Sequence, residues 1–224
     1  MNGRIICFHY IGKKLKILRK KPLIVLPFLV ISSLIFSQTK PDALMEYRMG
    51  NFERAASICR DEIATNPNNL DAYVVISWSL VKMGDYQNAF AYAQNGMKLS
   101  RYDPRIIEIL GEISYFQGRN AESLQYFQEY INFTSEGGRV DSVYYLMGEI
   151  FIRQGRFRHA DIAISTAVYW QPRNADWWGR LGYARESFGD MISAASAYEK
   201  ALALNAGMAD VRRGLDRVRK ALQR

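Results

Sequence analysis

Five glycines lay a ruler along this chain: Gly50, Gly84 and Gly118 stand 34 residues apart, Gly155 follows after 37, and Gly189 after another 34. Other columns keep the same step. Seven residues before each glycine come Ala43, Ser77, Gly111, Gly148 and Gly182, and five after it Ala55, Ala89, Ser123, Ala160 and Ala194, all of them small. Eight before it, from the second unit on, stand Ile76, Leu110, Met147 and Leu181, and eleven before it Tyr73, Ile107, Tyr144 and Trp178. Nine after it are Cys59, Ala93, Phe127, Ile164 and Tyr198. A period of about 20–50 residues marks a stacked repeat, in which each unit buries its apolar face against its neighbours.

The offsets place these residues on helical faces on either side of a break. Each unit therefore reads as a helical hairpin: a first helix ends just before the glycine, the chain turns, and a second helix returns. Glycine adopts the left-handed conformation of such a turn without steric cost, and the next residue, Asn51, Asp85 or Asp190, is expected to cap the second helix with its side-chain oxygen. Small residues on the facing sides let the two axes approach closely. Pro67, Pro104 and Pro172, beside Asn66, Asp103 and Asn174, punctuate the connections between hairpins.

With these columns in place, the chain resembles the tetratricopeptide repeat family, whose unit of about 34 residues pairs a large residue and a Leu-Gly or Leu-Ala with a Gly-x-Tyr/Phe turn, an alanine and a terminal proline. The fourth unit carries Tyr144, Met147-Gly148, Gly155, Phe157, Ala160 and Pro172; the fifth carries Trp178, Leu181-Gly182, Gly189, Ala194, Tyr198 and Ala201-Leu202. The resemblance spans about residues 38–208 and implies an all-α solenoid of helical hairpins wound as a right-handed superhelix. Its units fall at about 38–69, 70–103, 104–140, 141–174 and 175–208. The first helix of unit one is expected to be short, starting near Pro41 and placing Asp42 where an apolar residue belongs. SEGGRV (Ser135 to Val140) adds three residues, predicting a looser superhelix there. Residues 209–224 read as a capping helix with Val211, Leu215, Val218 and Leu222 on one face and Arg212, Arg213, Arg217, Arg219, Lys220 and Arg224 on the rest.

The formal charge of +8 is concentrated at the start. Residues 1–21 form a basic leader, and residues 1–37 hold seven Lys/Arg and no acid, leaving 23 basic against 22 acidic residues in the remainder. Nucleic acid is therefore not an expected partner. Leu23 to Phe36 is an uncharged apolar run of 14 residues, short of the roughly 17–25 a spanning helix wants and within the roughly 7–15 of a signal-peptide core. Residues 22–37 thus read as a signal peptide, with an uncleaved signal anchor holding the membrane as the alternative. Either one sends the repeats across the cytoplasmic membrane, to a periplasmic or membrane-anchored position outside the cytoplasm. Cys7 and Cys59 flank that segment, so the exported part is expected to rely on packing rather than a disulfide, with Cys59 a buried small hydrophobe.

Catalysis finds little footing. His9 and His159 lack a neighbouring ligand set, no glycine loop cradles a phosphate, and neither a metal, a cofactor nor a small-molecule substrate is expected. His159 reads as a surface residue. The family resemblance implies instead a non-catalytic scaffold whose groove is lined by first helices, at positions carrying Trp78, Lys82, Glu108, Glu112, Tyr115, Tyr145, Glu149 and Tyr183. Aromatic anchors beside acids suit an apolar or basic segment of a protein or peptide partner. An aromatic on a first helix serves packing between repeats as readily as a ligand. The alternatives are a membrane-surface protein using the basic leader and C-terminal helix, and an accessory subunit of an envelope enzyme complex.

Overall fold

A glycine that must turn left-handed fixes where each first helix stops. The computed structural model describes residues 42–134 and 137–224, and among these eleven α-helices form and no strand does. They are α1 (Ala43–Arg48), α2 (Phe52–Thr65), α3 (Leu70–Lys82), α4 (Tyr86–Leu99), α5 (Pro104–Phe116), α6 (Asn120–Phe133), α7 (Val140–Arg153), α8 (Phe157–Trp170), α9 (Ala175–Ser187), α10 (Met191–Leu204) and α11 (Ala209–Leu222). The basic leader and the apolar run at 22–37 lie outside the described residues. No helix of the described residues is long and apolar enough to cross a membrane.

All five predicted turns close the same way. The glycine donates to the carbonyl three residues back and its successor to the carbonyl five back, as Gly118 N–H to Tyr115 O (3.1 Å) and Arg119 N–H to Ser114 O (2.8 Å). This satisfies carbonyls that the helix end leaves open. Gly118 has φ +75°, and a Cβ added there would meet nothing within 4 Å. The penalty of a side chain is then purely one of backbone. Gly118→Ala is expected to lower stability by about 1–2 kcal/mol and Gly118→Asn by less, measured by urea unfolding; equal losses would contradict this.

The caps follow the chemistry of each side chain. Asp85 accepts from Asn88 N–H (3.2 Å) and Asp190 from Ser193 N–H (3.1 Å). Asn51 does not cap α2, contrary to expectation, because its amide donates instead to Glu46 Oε2 at 2.7 Å. First helices are capped by Asp42, Asn69, Asp103 and Asn174. Asp42 therefore stands in place of an apolar residue because α1 begins right after it, six residues long against 13 or 14 in the others.

Packing within hairpins matches large against absent. A Cβ on Gly111 would lie 2.5 Å from the Phe127 ring, one on Gly182 2.5 Å from Tyr198, and one on Gly148 would collide with Ile164. Where the opposing column is small, as at Cys59 and Ala93, the first helix carries Ala43 or Ser77, and all four are buried. Glycine thus stands where the partner is large, and alanine or serine where the partner is small.

First helices touch one another along the array (α1 with α3, α3 with α5, α5 with α7, α9 with α11) except between α7 and α9, whereas no second helix touches the next to a comparable extent. The first-helix face is therefore the inner one. Being covered on both sides, α5 is buried without a break from Ile106 to Tyr115. Among consecutive helices α6 and α7 touch least, as the insertion predicts, yet Arg139 of that insertion bridges back to α5, and its N–H donates to the Tyr130 hydroxyl at 2.9 Å. In α11, Val211, Leu215 and Val218 are buried as expected, but Leu222 is 49% exposed. Among the described residues no helix covers its last turn.

Candidate functional site

The inner face places the eight predicted groove residues in two clusters. In the first, Trp78 at the middle of α3 is half-buried and stacks on Tyr47 of α1, with centroids 5.7 Å apart. One turn on, Lys82 is exposed at the helix end. Glu108 and Glu112, successive turns of α5, are 2% and 5% exposed. Both face Arg139, whose Nη1 lies 3.2 Å from Glu108 Oε1 and whose Nη2 lies 2.9 Å from Glu112 Oε1. Burial, and next the charge of Glu112, push the Glu108 carboxyl up to about 7. The buried Trp78 indole N–H sits beside it without a well-formed hydrogen bond.

The second cluster gathers around Arg180 of α9. Its guanidinium grips Glu149 of α7 through two bonds of 2.6 and 2.9 Å and lies 5.2 Å over the Tyr183 ring. Tyr145 stacks flat on Trp177, with centroids 4.9 Å apart and planes at 11°. Burial raises its phenol, and the Glu149 charge adds to the effect. Tyr115 is buried beneath Arg153, 4.0 Å from its ring centroid. Of the four aromatic anchors only Tyr183 is exposed, at 39%.

The structure adds arginines that column reading passed over. Arg105 meets Asp71 at 2.7 Å, Arg139 meets Glu108 and Glu112, Arg180 meets Glu149, and Arg217 grips Glu186 at 2.8 and 2.9 Å. Each joins one hairpin to the next along the inner face. For two of them the signal was present as a Glu-to-Arg spacing of 31, in Glu149–Arg180 and Glu186–Arg217. That is about one helical turn short of the 34-residue period, so it sets the two side chains opposite each other on adjacent first helices; Glu108 and Arg139 lie across the insertion, where the step is 37, and Arg139 precedes α7. The exposed pairs stabilise little, whereas the buried Arg139 pair is costly to break. The acids predicted as charge partners for a ligand are thus already engaged within the chain.

Three cavities open along this face. One of about 640 Å³ is lined by Leu44, Tyr47, Cys59, Val75 and Trp78, and a second of about 320 Å³ by Trp78, Pro104, Glu108, Tyr130, Gly138 and Arg139. Trp78 stands between them and lines both. A third, of about 300 Å³, is lined by Tyr145, Arg180, Tyr183, Val211 and Arg213. Cys59 is buried, and burial pushes its thiol up to about 12, leaving it unreactive. His159 is exposed and lies against Phe151. Among the described residues no group of three His, Cys, Asp or Glu is placed to hold a metal.

Two family models described as Tetratricopeptide repeat match residues 70–103 and 145–209. Among solved structures, PilF of Pseudomonas aeruginosa aligns with a TM-score of 0.71 at 15% identity, over 81% of this chain and 81% of its own. PilW, described as a widely conserved type IV pilus biogenesis factor, aligns at 0.68 with 18% identity over 81% and 83%. YrrB, described as a TPR protein with an unusual peptide-binding site, aligns at 0.67 with 14% identity over 75% and 85%. At such identities the likeness is one of fold.

Proposed function

Because the chain belongs to the tetratricopeptide repeat family, we propose that it is a non-catalytic scaffold that holds a segment of a partner protein along its first-helix face. The observation that carries this is the pair of cavities on either side of Trp78, which leave a half-buried aromatic between two open volumes. An aromatic flanked by concave walls that mix apolar and charged side chains is an arrangement that anchors partner segments in hot spots. The likeness to YrrB supports a peptide as ligand.

The scaffold acts in the cell envelope in this reading. Support comes from the basic leader and apolar run of residues 1–37, read as an export signal, and from the likeness to PilW, a pilus biogenesis factor. In-cell crosslinking on a C-terminally tagged chain tests both parts, since the same preparation reveals the mature N-terminus. Wild type is expected to capture a defined partner and Trp78→Ala to lose it while keeping its helical circular dichroism. Undiminished capture by a folded Trp78→Ala chain would remove the groove. A mature protein recovered from the cytoplasm would remove the envelope placement.

A further inference from the structure

Several arginines of this chain use the edge and the face of the guanidinium at once. Arg101, Arg119 and Arg180 pair at the edge with Glu129, Glu122 and Glu149, and lie over the rings of Tyr102, Phe90 and Tyr183 at 5.5, 4.9 and 5.2 Å from the centroid. Hydrogen bonds in the guanidinium plane leave its flat face free to meet a π system. Arg105 and Arg139 share the committed edge and lack the ring. Arg105 donates from Nε and Nη2 to Asp103 and from Nη1 to Asp71. Arg139 donates from Nη1 and Nη2 to Glu112, and its Nη1 also meets Glu108. Among the described residues no aromatic ring lies against either guanidinium. Both line the same cavity, the one of about 320 Å³ beside Trp78.

Resting on the groove reading, we propose that this cavity receives an aromatic side chain of the partner segment, its ring set against the Trp78 indole and the guanidiniums of Arg105 and Arg139. With their edges held by acids, the two arginines offer an incoming group their planar faces and their apolar stems. An incoming carboxylate would have to displace Asp71, Asp103 or Glu112 to be gripped by the fork. An incoming cation finds no free acid, because Glu108, the one carboxylate among the walls, is 2% exposed and already meets Arg139 at 3.2 Å. A ring needs neither. Its negative faces attract the two guanidiniums, and it stacks on the indole as Tyr47 does from the other hairpin. A saturated side chain of the same shape would bury as much apolar surface without those attractions. The volume lies at the small end of the roughly 300–1,000 Å³ of ligand pockets, which suits one side chain rather than a helix.

The test follows the Trp78 indole N–H resonance in the isotope-labelled full chain, assigned by its loss in Trp78→Phe. The probes are acetyl-Leu-Phe-Leu-amide and the same peptide with cyclohexylalanine, which keeps the shape of phenylalanine and removes its π faces. The phenylalanine peptide is expected to move the resonance saturably and to show nuclear Overhauser contacts from its ring to the Thr134 methyl. Thr134 lines this cavity alone, whereas Val75 lines only the larger one across Trp78. The cyclohexylalanine peptide should bind about fivefold more weakly, although apolar burial alone would make it bind at least as well. Arg105→Met keeps an apolar stem and loses the planar cation, and should shrink that preference to about twofold. The comparison of the two peptides is made in the wild-type chain and depends on no variant. Equal or tighter binding of the cyclohexylalanine peptide, contacts to Val75 in place of Thr134, an unmoved resonance, or an undiminished preference in Arg105→Met would each overturn the assignment. An unmoved resonance together with loss of partner capture in Trp78→Ala would sink this pocket and leave the groove standing.

Discussion

Phe127→Ala is expected to lower stability by about 3–5 kcal/mol, and Gly111→Ala to change sign when added to it. The Phe127 ring is fully buried and occupies the space that a Cβ at Gly111 would enter. Alone, Gly111→Ala meets that ring and is expected to lose about 1–3 kcal/mol to overpacking, offset in part by roughly 1 kcal/mol of helix propensity. With the ring removed only the propensity gain remains, so the same change becomes stabilising. The double variant gives the third hairpin the small-on-small crossing that Ser77 and Ala93 occupy in the second. Urea unfolding of the four chains in a double-mutant cycle measures the coupling. Equal destabilisation by Gly111→Ala in both backgrounds would show that the two columns do not compensate.

The second large effect concerns the buried acids of α5. Arg139→Met leaves Glu108 and Glu112 without their guanidinium and is expected to cost about 3–5 kcal/mol at pH 8, and less at pH 5.5, where Glu108 carries a proton. In the wild-type chain the folded pKa of Glu108, about 7, lies above its ordinary 4.5. Between those values the native state holds a proton that the unfolded chain has released, so stability falls as pH rises through that window and levels off above it. Asp103, Glu186 and Asp190 lie below the ordinary carboxylate range. At Asp103 and Glu186 burial is outweighed by hydrogen bonds from Arg105, and from Arg217 and Tyr198; at Asp190 the bonds to Ser193 lead. Their stabilisation is present above about pH 4 and is lost as pH falls through their lowered values. Stability should therefore peak near pH 5. Glu108→Gln is expected to remove only the decline between about pH 4.5 and 7, and denaturant midpoints across pH would show it. An undiminished decline in that variant would place the titrating group elsewhere.

The hairpin turns and the helix crossings were legible because each depends on one residue at one offset. Gly50 to Gly189 mark positions that need a left-handed backbone, and the columns containing Gly111 and Phe127 mark a crossing where glycine faces a large residue. Asn51 misled because its amide can donate as well as its carbonyl accept, and Glu46 is within reach. Leu222 misled because helical spacing defines a face without saying how far the next helix extends beneath it. The groove residues posed a deeper problem: a column locates Glu108, Glu149 or Tyr115 on the inner helices but is silent on what stands opposite. The answers are Arg139 from the inserted turn, and Arg180 and Arg153 from the following hairpins. Arg139 sits in the insertion that interrupts the 34-residue step, where a search at that step does not reach. The cavities beside Trp78 arise from the shortness of α1 and from that same insertion, features that depart from the repeat.

Site-specific photo-crosslinking in living cells tests the central claim most directly. A photoreactive phenylalanine analogue placed at Lys82 or Tyr183, exposed on first helices, is compared with one at Ile162 or Ile192, which are 69% and 74% exposed on second helices. A binding groove on the first-helix face predicts a discrete adduct of the same partner from positions 82 and 183 and none from 162 and 192. Adducts confined to 162 and 192 would move the interaction to the outer face and contradict the account.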